Sequence, residues 1–231
     1  MNKDNIYKDY WVNTWQARDK RQYYQKLYDK VKHRIVVPDN AKLLDVGGGN
    51  GHFLFYLGTK NADIIDISDS GVEVAGSVGF GTINADIEKP FPIESESYDV
   101  AFCFEVLEHL KSPQTTLSET NRVLKPGGIL YVGQPNMPAD GVHHVRRYYL
   151  KDITSELKSA NFSIEWIDFV PAFTMRDAIL DDISKTKSLF RKFKQSIALL
   201  LSFFPRRIRY LMAKLVPNRF ALLFIVKAVK Q

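Results

Sequence analysis

One cysteine, Cys103, stands in 231 residues. No disulfide can close within the chain, which excludes a disulfide-stapled scaffold and makes a reducing cytosol the expected setting. Long apolar runs are missing as well. The strongest, IALLLSFF at 197–204, falls well short of the roughly 20 residues that a spanning helix needs. The opening MNKDNIYKDYWVNTW holds no apolar signal-peptide core. Acidic residues are absent after Asp182, yet twelve of the 32 basic residues lie beyond it, leaving 20 basic against all 26 acidic residues in the first 182 positions. The net charge of +6 thus hides a negative body and a strongly positive tail. Such a tail expects an anionic partner.

Hydrophobic residues make up 45% of the chain, enough for a full core. With no internal repeat and no long Pro/Gly/Ser linker, one domain over 1–231 is expected. Helical spacing of Tyr7, Tyr10, Trp11, Trp15, Tyr23, Tyr24, Leu27, Tyr28 and Val31 predicts a helical cap over 1–38. Strands and helices then alternate: strands at 41–46, 62–67, 81–86, 97–105, 129–135 and 163–170, with helices at 70–79, 112–128 and 150–162. Alternation of this kind predicts an α/β fold with a mostly parallel sheet covered on both faces. The core spans 39–173. Residues 174–216 break the rhythm as a basic helical insertion. RFALLFIVKAV at 219–229, rich in Phe, Ile and Val, predicts a last strand within 217–231.

The first strand runs into LLDVGGGNGHF at 43–53, with four glycines in five positions. A plain turn needs one or two, so a ligand must come close to the backbone. Gly47-x-Gly49 begins a dinucleotide fingerprint, but His52 occupies its third glycine position. The alternative spacing, Asp45-x-Gly47-x-Gly49-x-Gly51, resembles motif I of the class I S-adenosylmethionine-dependent methyltransferases, of the type 11/12 kind. Further motifs in NADIEKPFP (84–92), YDVAFCFEVLEHL (98–110) and RVLKPGGILYVGQPN (122–136) extend that resemblance over about 40–170. It implies a three-layer Rossmann-like fold with seven strands, the last antiparallel, and S-adenosylmethionine as cofactor. On that footing Asp45, Gly47, Gly49 and Gly51 form the loop, and Asp66 with Ile67 meets the ribose. Asp86 would accept from the adenine amine while Ile87 packs on the ring, and Glu105 completes the set. Tyr10 or Trp11 would cap the cofactor or simply cover the sheet.

EVLEHL at 105–110 is similar to ubiquinone-pathway O-methyltransferases and to small-RNA 3′-terminal 2′-O-methyltransferases. If it is helical, Glu105, Glu108 and His109 share a face and, with His143 or His144, can hold a divalent ion such as Mg²⁺. The same histidines, with Glu105, are candidates for metal-free acid–base work on the acceptor, or plain lining. Arg146 and Arg147 either bind an acidic group or pair with surface carboxylates. The acceptor is expected to be a hydroxyl of an amphiphilic, lipid-linked or glycan-type small molecule. A 3′-terminal RNA or a partner methyltransferase, served by a non-catalytic subunit, are the alternatives. Leu189, Phe190, Phe193, Ile197, Leu200, Leu201 and Phe204, then Ile208, Leu211, Met212 and Leu215, form apolar stripes among basic residues in 183–216. That segment expects peripheral contact with the inner face of a membrane, packing as a lid or in a dimer, or binding of RNA. Oligomeric state is left open.

Overall fold

A computed structural model describes residues 18–59, 61–136, 144–171 and 221–231, with isolated positions between 196 and 215. Helix α1 (Arg18–Val31) passes through a single 3₁₀ turn, Lys32–Arg34, and leads to β1 (Leu43–Val46) and α2 (His52–Leu57). Next come β2 (Ala62–Asp66), α3 (Asp69–Ser77), β3 (Gly81–Asn84) and β4 (Tyr98–Phe104). A 3₁₀ turn at Leu107–His109 precedes α4 (Pro113–Val123), β5 (Leu124–Pro135), α5 (Leu150–Ser159), β6 (Phe162–Pro171) and β7 (Ala221–Lys230).

All seven strands form one sheet, in the order β3-β2-β1-β4-β5-β7-β6. The β1, β2, β3, β4 and β5 pairings are parallel, and β7 runs antiparallel between β5 and β6. This is the expected Rossmann-like sheet with its antiparallel last strand. Burial explains the strand sequences. β1 is buried at every position and β4 at all but one, as central strands covered on both faces must be. One apolar layer joins Leu44, Val46, Leu107, Leu117, Val132 and Phe224; the other joins Leu27, Leu43, Phe53, Phe102, Tyr131 and Ile225. Cys103 is a core residue.

The helix expected over 112–128 stops at Val123, and β5 begins five residues before the expected 129. Leu124 adopts an extended conformation and pairs with Tyr98. Pro126 cannot continue a helix, Gly127 takes φ +72°, and the ladder irregularity between Tyr98 and Val100 absorbs the turn. The chain thus stays at the sheet instead of completing another helical turn. The helical cap expected over 1–38 is described as a helix over Arg18–Val31. Tyr10, Trp11 and Trp15 lie outside the described residues.

Strand order reverses beside β1: its chain continues to β2 on one side, while β4 pairs on the other. Crevices at the carboxyl ends of strands flanking such a switch point are where open α/β sheets take ligands.

Candidate active site

The carboxyl ends of β1, β2, β4 and β5 bring the predicted residues to one edge. After β1 the loop turns sharply, with Gly47, Gly49 and Gly51 at φ +73°, +53° and +75°. Its shape has two causes. Left-handed backbone favours glycine, and side chains of the protein itself crowd the loop. A Cβ on Gly47 would lie 2.7 Å from Val106 Cγ2, and one on Gly51 would lie 2.8 Å from the Phe80 ring and 2.9 Å from Ile64 Cδ1. The expectation that a ligand alone requires bare glycines is therefore corrected at these two positions: internal packing requires them too.

Asp66 ends β2 and braces the loop. Its Oδ2 accepts from Gly49 N at 2.9 Å and its Oδ1 from Ser68 N at 2.8 Å. With a further backbone bond from Ile67, the carboxylate keeps one acceptor site. Ile67 follows at the strand end, half-buried. Asp45, 2% exposed, has Oδ2 buried without a hydrogen-bond partner. Ile87 is buried against Gly47, and its carbonyl accepts from Thr116 of α4 at 2.8 Å. Asp86 is partly exposed; it accepts from Glu88 N at 3.0 Å, and Lys89 Nζ lies 3.6 Å from it.

Glu105 follows β4 in a left-handed conformation, φ +55°, with its N–H donating to Gly133 O at 2.7 Å. Such an outlier in a non-glycine residue marks a position over-determined by its surroundings. EVLEHL is consequently not one helical face. The chain kinks at Glu105, and only Leu107–His109 form a 3₁₀ turn. Glu105 therefore stands apart from the ion-holding group, which correction leaves it hydrogen-bonded to Tyr24 of α1. What does converge is Glu108, His109 and His144, with potential ligand atoms all within 4.8 Å of one another. Glu108 Oε1 is 3.7 Å from His109 Nε2, and the two imidazole centroids are 5.0 Å apart. His143 lies outside the described residues.

Two side chains that sequence reasoning passed over complete the site. Gln134, fully buried at the end of β5, donates from Nε2 to Glu108 Oε2 at 2.9 Å, while Glu108 Oε1 is buried with no hydrogen-bond partner. Its only signal was an amide in an otherwise apolar strand, ILYVGQP. Tyr24 was visible only as one of many aromatics in the N-terminal helix. It bonds Glu105, and with Tyr28 and Tyr56 it packs edge-on around His52 at the loop's end. Arg146 meets Glu156 at 3.5 Å and Lys111 O at 2.8 Å, the pairing reading; Arg147 bonds Asn136 Oδ1 at 3.1 Å and lies over the Tyr149 ring.

The electrostatics are one-sided. Burial, then the charge of Asp66, pushes Asp45 up to about 8, and burial raises Asp66 against three backbone hydrogen bonds. Desolvation lifts Glu105 to about 7; burial, then Glu105, lifts Glu108 to about 8. Among the described residues no Lys or Arg lowers any of these four. Acids gathered in low dielectric with no cation favour a cationic guest, because its charge replaces the missing partner. A sulfonium fits that requirement, and the orphaned Asp45 oxygen fits a hydrogen-bond donor on the same molecule. Two imidazoles and one carboxylate fit a borderline divalent ion better than Mg²⁺, which prefers oxygen donors.

Residues 44–132 match the family described as a methyltransferase domain. A ubiquinone biosynthesis O-methyltransferase of Saccharophagus degradans is 33% identical over 103 residues, covering 41% of this chain and 44% of that protein. The same enzyme of Pectobacterium carotovorum is 26% identical over 148 residues, 56% and 62% of the two chains. The chain thus spans less than two thirds of the length of these relatives. Among solved structures, a S-adenosylmethionine-dependent methyltransferase of Thermotoga maritima aligns over 98% of this chain and 99% of its own, with TM-score 0.65 at 16% identity. The 4+2 cyclase SpnF aligns over 90% and 82%, with TM-score 0.63 at 20% identity; at such identities the fold alone is shared. Motifs, sheet order and matches agree: the chain carries the class I methyltransferase fold, and its residues 44–132 match a methyltransferase domain.

Proposed function

We propose that the protein transfers a methyl group from S-adenosylmethionine to a hydroxyl of an amphiphilic small molecule. The observation that carries this reading is the set of buried acids, Asp45, Asp66, Glu105 and Glu108, with no Lys or Arg among the described residues to offset them, ranged along the edge that also holds the glycine loop. When bound, the cofactor supplies an electrophilic methyl on a cationic sulfur.

The chain's own residues do the rest. Asp66 accepts from a ribose hydroxyl with its remaining acceptor site while holding Gly49 in place. Ile87 offers an apolar wall for the adenine, and Asp86 an acceptor for its amine. Tyr24, tied to Glu105, covers the crevice from α1 and excludes water. Glu108, His109 and His144 would hold a divalent ion that accepts imidazole nitrogen, such as Mn²⁺ or Co²⁺, and such an ion would acidify a bound hydroxyl. Without an ion, His109 or His144 takes the hydroxyl proton as general base. Positioning of the acceptor oxygen against the methyl supplies a large share of the rate.

The test is transfer of a deuterated methyl group to a panel of catechols and vicinal diols, read by mass spectrometry, with Mn²⁺, Mg²⁺ or a chelator present. A product 3 Da heavier per transfer beyond the ordinary methyl ether, lost in Glu108→Gln, supports the reading. Tight cofactor binding with no product on any acceptor supports a non-catalytic subunit instead.

A further inference from the structure

Apolar exposure on this protein is concentrated. Of the thirteen large hydrophobic residues exposed among the described residues, seven fall within 197–215. Leu200, Phe203, Leu211 and Leu215 are 58–74% exposed, and Phe204 and Ile208 are nearly half exposed. Leu199, by contrast, packs against the buried apolar cluster. A segment folded back as a lid would bury this stripe, so its exposure argues against that role. The sequence from 183 to 219 adds ten Lys and Arg and no acidic residue. A second copy of the chain would bring the same positive charge to the contact, which disfavours self-association. Basic residues interspersed in the sequence with exposed aromatic and aliphatic side chains suit an anionic bilayer, where apolar groups enter the acyl boundary and cations meet headgroups. No helix of the described residues is long and apolar enough to cross one.

Topology links this surface to the site. β6 and β5 run in the same direction, because each is antiparallel to β7. The connection from Pro171 to Ala221 therefore leaves and re-enters at the edge where Glu108 and Gln134 lie. Asn136, two residues beyond Gln134, donates from its backbone to Leu222 O at 2.9 Å and from Nδ2 to Ala221 O at 3.1 Å.

We propose that the 197–215 segment docks the protein on an anionic lipid surface, with the carboxyl edge of the sheet facing the bilayer, so that the acceptor is an amphiphile drawn from it. The docking stands on the exposed stripe and its charge alone; only the lipid nature of the acceptor rests on the methyl-transfer reading.

Flotation of the full chain is measured with phosphatidylcholine vesicles with and without 30% phosphatidylglycerol, for the native protein, for Phe203→Ser/Phe204→Ser and for Arg206→Glu/Arg207→Glu. The expected result is at least tenfold tighter binding to the anionic vesicles, reduced at least tenfold in both variants. All three proteins should bind S-adenosylhomocysteine equally in calorimetry, which confirms intact folding and separates docking from the site. Equal binding to neutral vesicles, or no loss in the Phe203/Phe204 variant, overturns the proposal. So does salt-sensitive binding of a 20-nucleotide RNA that survives the Phe203/Phe204 change, or a dimer that the same change dissolves.

Discussion

Replacing Asp45 with Asn tests the buried acid at the root of the glycine loop. The carboxyl is 2% exposed, and Oδ2 has no partner. Burial, reinforced by Asp66, raises its pKa from 3.8 to about 8. Between those two pH values the native state keeps a proton that the unfolded chain has released, so stability falls as pH rises. The slope approaches about 1.4 kcal/mol per pH unit in that window. From pH 6 to pH 8 the native protein should therefore lose on the order of 3 kcal/mol to this one group. Asp45→Asn keeps the shape and cannot ionise. Its melting temperature, relative to the native protein, should climb by about 3–6 °C per pH unit up to about pH 8 and then level off. The assay is paired thermal unfolding at pH 5, 6, 7, 8 and 9. Adding S-adenosylmethionine should narrow the gap, since a cation in the crevice stabilises the carboxylate. A gap that stays flat with pH refutes the buried environment assigned to Asp45.

Gly51→Ala should cost about 2–4 kcal/mol in urea unfolding, combining a left-handed alanine with overpacking against Phe80 and Ile64; a cost under about 1 kcal/mol would contradict the packing. Gln134→Leu removes the hydrogen bond to Glu108 Oε2, which lowers that residue's pKa. Mn²⁺ affinity, read by paramagnetic resonance, should then fall about 10–100-fold, and an unchanged affinity removes Glu108 from the ion-holding group.

Much of the sheet was legible because its central strands are nearly continuous apolar runs bounded by turn residues. Those features depend on neighbours in sequence alone. The last strand was readable from RFALLFIVKAV for the same reason. The error at 112–128 has a partly tertiary cause: Leu124 has good helical propensity, and its pairing with Tyr98, besides Pro126 two residues on, draws it into β5. At the site, the sequence pattern put Asp45, Asp66, Glu108 and His109 near strand ends: Asp45 lies late in β1, Asp66 closes β2, and Glu108 and His109 follow β4. It misjudged Glu105, since a left-handed kink breaks the three- and four-residue spacing that EVLEHL implies as a helix. Gln134 and Tyr24 were hidden because their partners, Glu108 and Glu105, lie 26 and 81 residues away in sequence. The stripe at 197–215 was legible as a pattern, but which way it faced was not: a helix shows the same periodicity whether its apolar side meets the core or the solvent.

Calorimetric titration of S-adenosylmethionine at pH 7, in two buffers of different ionisation enthalpy, bears most directly on whether the crevice holds the methyl donor. One molecule should bind per chain and release protons from the raised acids. Asp66→Ala should weaken binding at least tenfold, and NAD⁺ should give no heat. Absence of binding, preference for NAD⁺, or native affinity in Asp66→Ala would contradict the assignment of this edge to the cofactor.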